Sequence, residues 1–195
     1  FNPHFIFNVL ETLRYEITID AAKASDMVMA FANLMRYSIY YGSTIVPLQT
    51  DIEYINDYLL LQKMRYNRRL NYHIDIPEEL MGCKIPKLLL QPVVENSLVH
   101  GMKDIRSIAI NISAWKEKGQ LKLCVEDNGS GIREEKLEEL RKGLEQEDVY
   151  REHIGLYNSH RVVRLLYGPE SGMTIESSPG NGTKVTVTLP ADMEE

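Results

Sequence analysis

The hydrophobic pattern of the sequence changes near residue 70, and this change constrains the fold more than any other feature. Before it, apolar residues recur three or four positions apart, which is the spacing of amphipathic helices. After it, segments with the apolar–polar alternation of strands are interspersed with helical segments. The pattern predicts an α+β protein, in which a helical N-terminal segment precedes an α/β sandwich: a mixed sheet with helices on one face.

The first part of the chain is predicted to hold three helices. Asn2 is a suitable N-cap for the first, and Pro3 suits the first helical position, where its missing N–H costs nothing. Asp20 can cap the second helix. Thr50 and Glu53 have the spacing of a capping box, so we expect the third helix to begin at Thr50.

The boundary between the two parts is predicted within residues 42–50. We expect residues 1–46 to form a helical dimerisation segment, and residues 47–195 to form a second domain that includes a linking helix over 50–69. Strands are predicted at 70–76, 107–115, 120–127, 173–178 and 183–189. Helices are predicted at 85–101, 134–144 and 154–168.

Composition and charge argue against several classes of protein. The net charge of −6 without a compensating basic run argues against a nucleic-acid surface. The two cysteines lack the spacing of a metal site, so we interpret them as buried thiols. No apolar run approaches the ~20 residues of a membrane span, and no signal peptide is evident. Because the first residue is Phe1, we expect the sequence to be a piece of a longer chain.

Asp127 stands at the end of a predicted strand and precedes a glycine-rich turn, DNGSG. A buried carboxylate is costly unless it meets a hydrogen-bond donor, and an adenine amino group is such a donor. Gly129 and Gly131 let the backbone approach a flat ring or phosphates. The same residues also suit a plain turn, and this motif alone does not decide between the two.

Two further motifs carry polar groups into apolar surroundings. Asn96 and His100 are four residues apart, so they share one face of an apolar helix. An Asn amide oxygen is a suitable Mg²⁺ ligand when phosphates supply the others. A satisfied core pair is the alternative, which for His100 alone is favoured. Thr183 follows a Gly-x-Gly turn that is ordinary in hairpins and can also line a pocket.

Together, the order of these motifs resembles the Bergerat ATP-binding fold of histidine kinases, gyrase, Hsp90-type chaperones and MutL over about residues 70–190. The resemblance narrows to the LytS/YesM-type sensor histidine kinases. It rests on NPHFIFN, LLLQPVVENSLVHG and HIGLYNSHRVVRLLYG, with PLQTDIEYINDYLLLQKMRY resembling the link into their catalytic domain.

The resemblance implies that His4 is the phosphoacceptor. Of the five histidines, His4 is the one in a predicted first helical turn. That position disfavours the imidazolium and favours an anion by about 0.3–1 kcal/mol, which suits both neutral imidazole and phosphohistidine. Asn8 lies one turn later on the same face, where it can orient the ring or position a water that removes the phosphoryl group.

The resemblance also implies the roles of the other site residues. Asn96 would hold Mg²⁺ against the ATP phosphates, with His100 nearby, and Asp127 would accept from the adenine amino group. Gly129 and Gly131 would shape the base pocket, and Thr183 would support Asp127 through water. Gly155 and Leu156 would open the helix after an ATP lid, which we expect over about 133–154 and to be mobile because it is rich in charge.

The sequence departs from the family pattern before Gly155, where the family carries several glycines and this chain reads YREHIGLYN. Fewer glycines leave fewer backbone N–H groups to approach phosphates, although Arg151 or His153 can supply side-chain donors. Gyrase-like ATPases carry a water-activating Glu four residues before the Mg²⁺-binding Asn. Here that position is Pro92, which favours transfer to His4 over hydrolysis.

The resemblance therefore implies a sensor histidine kinase of a bacterial two-component system, with ATP and Mg²⁺. It implies transfer from ATP to His4 and then to an aspartate on the receiver domain of a response regulator. A homodimer is expected, with this part of the protein on the cytoplasmic side of an inner membrane to which a missing N-terminal part anchors it. The alternatives are a signalling module that binds nucleotide weakly through a degenerate lid, and a Bergerat-fold ATPase.

Overall fold

The computed structural model of the chain describes residues 3–40, 42–103, 105–146 and 154–191. The predicted cap Asn2 and the lid residues Arg151 and His153 lie outside these ranges. No helix in the described part of the chain is long and apolar enough to cross a membrane.

Two long helices begin the described chain. Helix α1 spans Pro3–Ile19 and helix α2 spans Ala21–Tyr40. The start of α1 at Pro3 agrees with the prediction. Asp20 caps α2 as predicted, because its Oδ1 accepts from the Lys23 backbone N–H at 3.1 Å. The two helices pack through apolar side chains that recur at helical spacing. The buried ones include Phe5 and Val9 on α1 and Met27, Ala30 and Leu34 on α2.

Helix α3 spans Leu48–Tyr66 and begins two residues earlier than predicted. Pro47 stands at its N-cap, and no side chain caps the helix. The predicted capping box of Thr50 and Glu53 is therefore wrong. The chain enters α3 from a short strand, β1 (Ile45–Pro47), which fixes its direction without a side-chain cap. Glu53 instead accepts from Gln49 Nε2 one turn earlier, at 2.9 Å.

The second part is built on a mixed sheet, as predicted. In the described residues it has five strands in the order β2-β4-β5-β7-β6. Their bounds are β2 Leu70–Asp75, β4 Ile108–Glu117, β5 Gln120–Asp127, β6 Gly172–Ser177 and β7 Thr183–Pro190. Strand β2 is parallel to β4, and the other neighbours are antiparallel. The alternation seen in the sequence buries every second residue of β4, from Ile108 through Ile110 to Ile112.

The single helix predicted over 85–101 is wrong. Strand β3 (Lys84–Pro86) pairs with β1, and helix α4 begins at Gln91 and runs to Asn96. A π-helical turn, Ser97–Gly101, continues it. Pro86 has no N–H to donate to a helix, and Leu88 has a left-handed φ of 61°, so the backbone cannot be helical before α4. This π-helical turn is wider than an α-helical turn, and it brings Asn96 and Ser97 to the same side of the helix.

Helix α5 spans Glu134–Gln146 and helix α6 spans Ile154–Tyr167, close to the predicted bounds. Three leucines of α5 are buried: Leu137, Leu140 and Leu144. Arg141 ties the helix to β6, because its Nη2 donates to the Ile175 carbonyl at 2.8 Å. The stretch from Arg133 is rich in charge as expected, but its helical part is not poor in packed apolar residues, since a leucine stripe packs this helix on the sheet. Residues 147–153 lie outside the described ranges.

Candidate functional site

One cavity gathers six of the predicted site residues from four parts of the chain: Asn96, His100, Asp127, Gly131, Leu156 and Thr183. Its apolar wall comes from side chains of α4, α5, α6 and the sheet. Those lining it include Val93, Ile132, Leu140, Ile175 and Val185. The cavity measures about 40 Å³, which is room for only a few water molecules, so its apolar walls lie close together.

Asp127 forms the polar end of this cavity. It ends β5, and 4% of its surface is exposed. Its Oδ2 accepts from the Ser97 hydroxyl at 2.7 Å, and its Oδ1 accepts from the Gly129 N–H at 2.8 Å. Burial raises the pKa of this carboxyl, while the hydrogen bonds from Ser97, Gly129 and Thr183 lower it. The carboxylate is therefore held in a fixed orientation as an acceptor beside the cavity.

Glycines bring the backbone of the π-helical turn against the turn after β5. A Cβ on Gly129 would lie 2.5 Å from both the Cα and the carbonyl oxygen of Gly101. A Cβ on Gly101 would lie 3.1 Å from Asp127 Oδ1. Ser130 joins the same two segments, because its N–H donates to the Gly101 carbonyl at 3.0 Å. Gly129 thus closes the turn without lining the cavity, whereas Gly131, with a φ of 68°, lines it.

Asn96 and His100 reach the cavity from the end of α4. Asn96 is half-buried and His100 is exposed, and both line the cavity. Glu95 does not line it: Gln91 Nε2 donates to Glu95 Oε1 at 2.7 Å along the helix. Pro92 occupies the place of the ATPase glutamate and packs against Gly155. A polar amide and an imidazole, without a neighbouring carboxylate base, therefore face the cavity from this helix.

Helix α6 closes one side of the site. Leu156 is buried and lines the cavity. Gly155 does not line it, and a Cβ at this position would lie 2.9 Å from Pro92 Cβ. The glycine therefore allows α6 to approach α4.

Thr183 lies opposite Asp127 in the β5–β7 register. Its Oγ1 is 3.0 Å from Ser177 Oγ, and Ser177 accepts from the Ile132 N–H at 2.9 Å. These bonds join β7, β6 and the turn after β5 at the edge of the cavity. The side chain of Thr183 thus contacts Ser177, while its backbone N–H bonds Asp127, so Thr183 contacts Asp127 directly, whereas the predicted support ran through water.

His4 lies in the first turn of α1 and is exposed. Asn8 Nδ2 is 3.1 Å from His4 Nδ1, so the predicted neighbours on one helix face are in contact. The next residue, Phe5, is buried and packs on the Tyr58 ring of α3 at 5.2 Å between centroids. His4 is therefore exposed to solvent next to the buried side chain of Phe5, and it does not line the cavity.

Sequence reasoning missed Ser97 and Ser177. Ser97 follows Asn96 directly, and neighbours on an α-helix point about 100° apart, so the pair was not expected to share a site. The π-helical turn brings both to the cavity. Ser177 could have been predicted to pair with Thr183, because it lies two residues before the PGNG turn and residues that flank a hairpin turn pair directly across it.

Comparison with known proteins agrees with this geometry. Residues 84–193 match the model of the histidine kinase-, DNA gyrase B-, and HSP90-like ATPase family. Residues 1–70 match the histidine kinase model. The chain therefore belongs to the histidine kinase-, DNA gyrase B-, and HSP90-like ATPase family, and within it to the histidine kinases, as the sequence motifs predicted. The ATPase domain implies ATP binding.

Among curated relatives, the sensor protein kinase HptS of Staphylococcus aureus strain USA300 is 32% identical over 190 residues, which is 97% of this chain. The same protein of strain NCTC 8325 gives the same values. The chain spans 36% of the length of these relatives.

Solved structures show the same fold. The histidine kinase domain of the blue-light activated kinase EL346 from Erythrobacter litoralis matches 94% of this chain and 86% of its own, with a TM-score of 0.54 and 17% identity. The catalytic domain of histidine kinase ThkA matches 77% of this chain and 98% of its own, with a TM-score of 0.59 and 15% identity. The predicted α+β architecture is confirmed.

Proposed function

We propose that this chain is the kinase core of a sensor histidine kinase of a bacterial two-component system. It transfers the γ-phosphoryl group of ATP to His4 and from there to an aspartate on the receiver domain of a response regulator. The observation that carries the proposal is the joint presence of two features. One is the cavity that gathers Asn96, Asp127 and Thr183, and the other is a solvent-facing His4 that contacts Asn8.

Asp127 is the residue that would recognise adenine. Its carboxylate is held by Ser97, Gly129 and the Thr183 backbone, and these three donors leave one of its four lone pairs for a further donor. Val93, Ile132 and Leu156 supply apolar surface for the ring. Because a fixed acceptor favours an amino group, the site should select adenine over guanine, which presents a carbonyl at the corresponding position.

Asn96 is the residue that would hold Mg²⁺. Its amide is the kind of oxygen ligand that this ion accepts, and it reaches the cavity half-buried at the end of α4. The described residues contain no cluster of three or more His, Cys, Asp or Glu side chains placed for a metal, so the phosphates would supply the remaining ligands. When bound, the ion would neutralise charge on the phosphates. His100, at the next turn, would then face the phosphate side.

His4 would accept the phosphoryl group as neutral imidazole. A ring-nitrogen lone pair attacks the γ-phosphorus, the bond from phosphorus to the bridging oxygen breaks, and ADP leaves with that oxygen. The positive end of α1 favours the anionic product. Asn8 holds the ring during attack, since its amide contacts Nδ1. His4 and the cavity must meet by movement within one subunit or between two.

A homodimer would cover the apolar outer surface of α1 and α2. These two helices expose large apolar side chains, which suit a bundle of four helices with a second copy. The exposed residues are Phe7, Leu10, Tyr15, Ile17, Ile19, Val28, Met29 and Ile39. Since the chain spans 36% of the length of its sensor-kinase relatives, the full protein would carry a membrane-anchored sensor part outside this sequence, with this core on the cytoplasmic side.

Incubation with γ-labelled ATP and Mg²⁺ tests the proposal. Wild type is compared with His4→Gln, with Asn96→Ala, and with His73→Gln as a matched control, since His73 is exposed on β2 away from both features. We expect acid-labile, base-stable label on wild type and on His73→Gln, and none on the other two variants. Addition of a receiver domain should move the label to a base-labile, hydroxylamine-sensitive form only if the receiver carries its aspartate.

Three results would contradict the proposal. Label that survives His4→Gln would place the acceptor elsewhere. Absence of label on wild type, together with steady release of phosphate, would identify an ATPase. Absence of both label and phosphate release would indicate a nucleotide-binding module. Its affinity would then be measured by calorimetry with a non-hydrolysable ATP analogue.

A further inference from the structure

Asp51 is a buried acid that the proposed reaction does not use. It lies in the first turn of α3 and is fully buried. A carboxyl group at such a depth costs free energy unless donors surround it, so its partners show why it is there.

On one side, Asp51 binds the backbone that leads into α4. Its Oδ1 accepts from the Leu88 N–H at 2.7 Å, and its Oδ2 lies 3.5 Å from the Leu90 N–H. Leu88 has a φ of 61°, which is strained for a residue with a branched side chain. Leu90 is the N-cap residue of α4. The carboxylate thus stabilises a strained backbone at the point where the helix that carries Asn96 begins.

On the other side, Asp51 binds α2. The Tyr37 hydroxyl donates to Asp51 Oδ1 at 3.0 Å. The Tyr37 ring packs on Tyr54 of α3, with 5.1 Å between centroids. Lys87 reaches the same place from the loop before α4: its Nζ is 5.1 Å from the centre of the Tyr37 ring and 3.4 Å from the Ser38 carbonyl. Asp51 Oδ1 therefore accepts hydrogen bonds both from the end of α2 and from the backbone that precedes α4.

We propose that Asp51 is a positioning residue that couples α2, in the phosphoacceptor segment, to α4, in the nucleotide site. Through Tyr37 and Leu88 it fixes the place of Asn96 relative to the helices that present His4. The inference rests on the proposed function for its effect on phosphoryl transfer. The mechanical coupling between α2 and α4 is independent of it.

The coupling depends on the position of Asp51 Oδ1 and not on the charge of the group. Burial raises the pKa of Asp51 to about 6, so the group is mainly ionised at neutral pH. Both the Tyr37 and the Leu88 bonds end on Oδ1, so a neutral Asn that keeps its carbonyl oxygen at that place should keep both.

Three variants and a control test the coupling. Tyr37→Phe removes the bond to α2 alone, Asp51→Leu removes both bonds at similar volume, and Asp51→Asn keeps the Oδ1 acceptor. Tyr72→Phe is the matched control, since its hydroxyl lies 3.4 Å from Asn56 Oδ1 at the surface of α3. For each, the readouts are amide hydrogen exchange over residues 88–101 and the kcat and KM of autophosphorylation, well below the melting temperature.

We expect Tyr37→Phe and Asp51→Leu to raise exchange over residues 88–101 at least fivefold. We also expect them to lower kcat at least fivefold, with the KM for ATP within threefold for Tyr37→Phe. Asp51→Asn and Tyr72→Phe should stay within threefold of wild type in every readout. Exchange over 88–101 that is unchanged in Tyr37→Phe would overturn the coupling, and so would an unchanged kcat in both disruptive variants. If wild type acquires no label, the proposed function fails, and the exchange measurement alone decides on the coupling.

Discussion

Asn8 Nδ2 lies 3.1 Å from His4 Nδ1 and 3.5 Å from Nε2, so the amide contacts the edge of the ring at Nδ1. With the amide N–H as donor, Nδ1 accepts and the neutral ring carries its proton on Nε2. Rotation of the carboxamide would place its oxygen at Nδ1, move the ring proton there, and leave the Nε2 lone pair for attack. Asn8 is therefore placed to select the nitrogen that would react in the proposed transfer.

The first prediction concerns this selection. Asn8→Ala should lower the initial rate of autophosphorylation about tenfold, because a hydrogen bond of about 1.4 kcal/mol that orients the ring is lost. Asn8→Asp presents only acceptors to Nδ1, so it should hold the proton on Nδ1 and retain the rate within about threefold. Rates are measured with labelled ATP at saturation. Equal rates in wild type and Asn8→Ala would contradict a role in the transfer.

The second prediction concerns adenine recognition. In Asp127→Asn, the Gly129 N–H can still donate to the carbonyl oxygen and the amide can donate to Ser97, so the fold should persist. The acceptor offered to the adenine amino group is then replaced by a donor. We expect the Kd of a non-hydrolysable ATP analogue to rise at least tenfold, while the Kd of the GTP analogue changes much less. Calorimetry with both analogues measures the ratio.

Ser97→Ala tests whether nucleotide binding also depends on the hydrogen bond that holds Asp127 in place. It removes the 2.7 Å bond to Asp127 and should weaken ATP-analogue binding about tenfold, since bonds to charged groups contribute about 1.5–3 kcal/mol. Ser43→Ala is the control, because its hydroxyl also makes an internal bond, to the Ile45 carbonyl, but far along the chain from the cavity. Binding by Ser97→Ala that equals that of Ser43→Ala would contradict the support role.

The sequence alone was sufficient to select the candidate site residues that belong to ordered motifs. Asp127, Asn96 and Thr183 fall on three separate segments, yet each stands at a strand end or on an apolar helix face, where a polar side chain is conspicuous. Asp127 and Thr183 meet at the cavity because β5 pairs with β7, a strand order that the sequence did not predict, and Asn96 reaches the same cavity from α4.

The parts that could not be predicted depend on contacts between distant residues. The start of α4 is set by Leu88, whose left-handed backbone is stabilised by Asp51, 37 residues earlier. Local propensity over 85–101 therefore favoured one long helix. Asp51 itself was passed over because a charged residue in a first helical turn is usually solvated, and its burial arises from α2 and the β3–α4 connection. The leucine stripe of α5 was obscured by its many charged neighbours.

The third prediction concerns the close approach of two turns. Gly129→Ala places a methyl group 2.5 Å from the Gly101 backbone and 2.7 Å from Asp127 Oδ1, and backbone atoms cannot move aside as a side chain can. We expect a loss of about 1–3 kcal/mol in the free energy of unfolding, together with weaker nucleotide binding. In Gly82→Ala the new methyl group has no atom within 4 Å, so its stability should stay within about 0.5 kcal/mol of wild type. Denaturant titration compares the two.

The fourth prediction concerns the pH dependence of stability. Burial raises the pKa of Asp51 from its ordinary value of 3.8 to about 6. Between these values the folded chain binds more protons than the unfolded chain, so this group's contribution to stability is fully present below pH 3.8 and is lost as the pH rises through about 6. The difference between the two pKa values corresponds to about 3 kcal/mol.

Asp51→Asn cannot titrate, so the free energy of unfolding of wild type minus that of the variant should fall by about this amount between pH 4 and pH 7 and then level off. Other groups that titrate in this range cancel in the difference. A difference that stays constant across the range would contradict the prediction, because Asp51 would then ionise as freely in the folded chain as in the unfolded one.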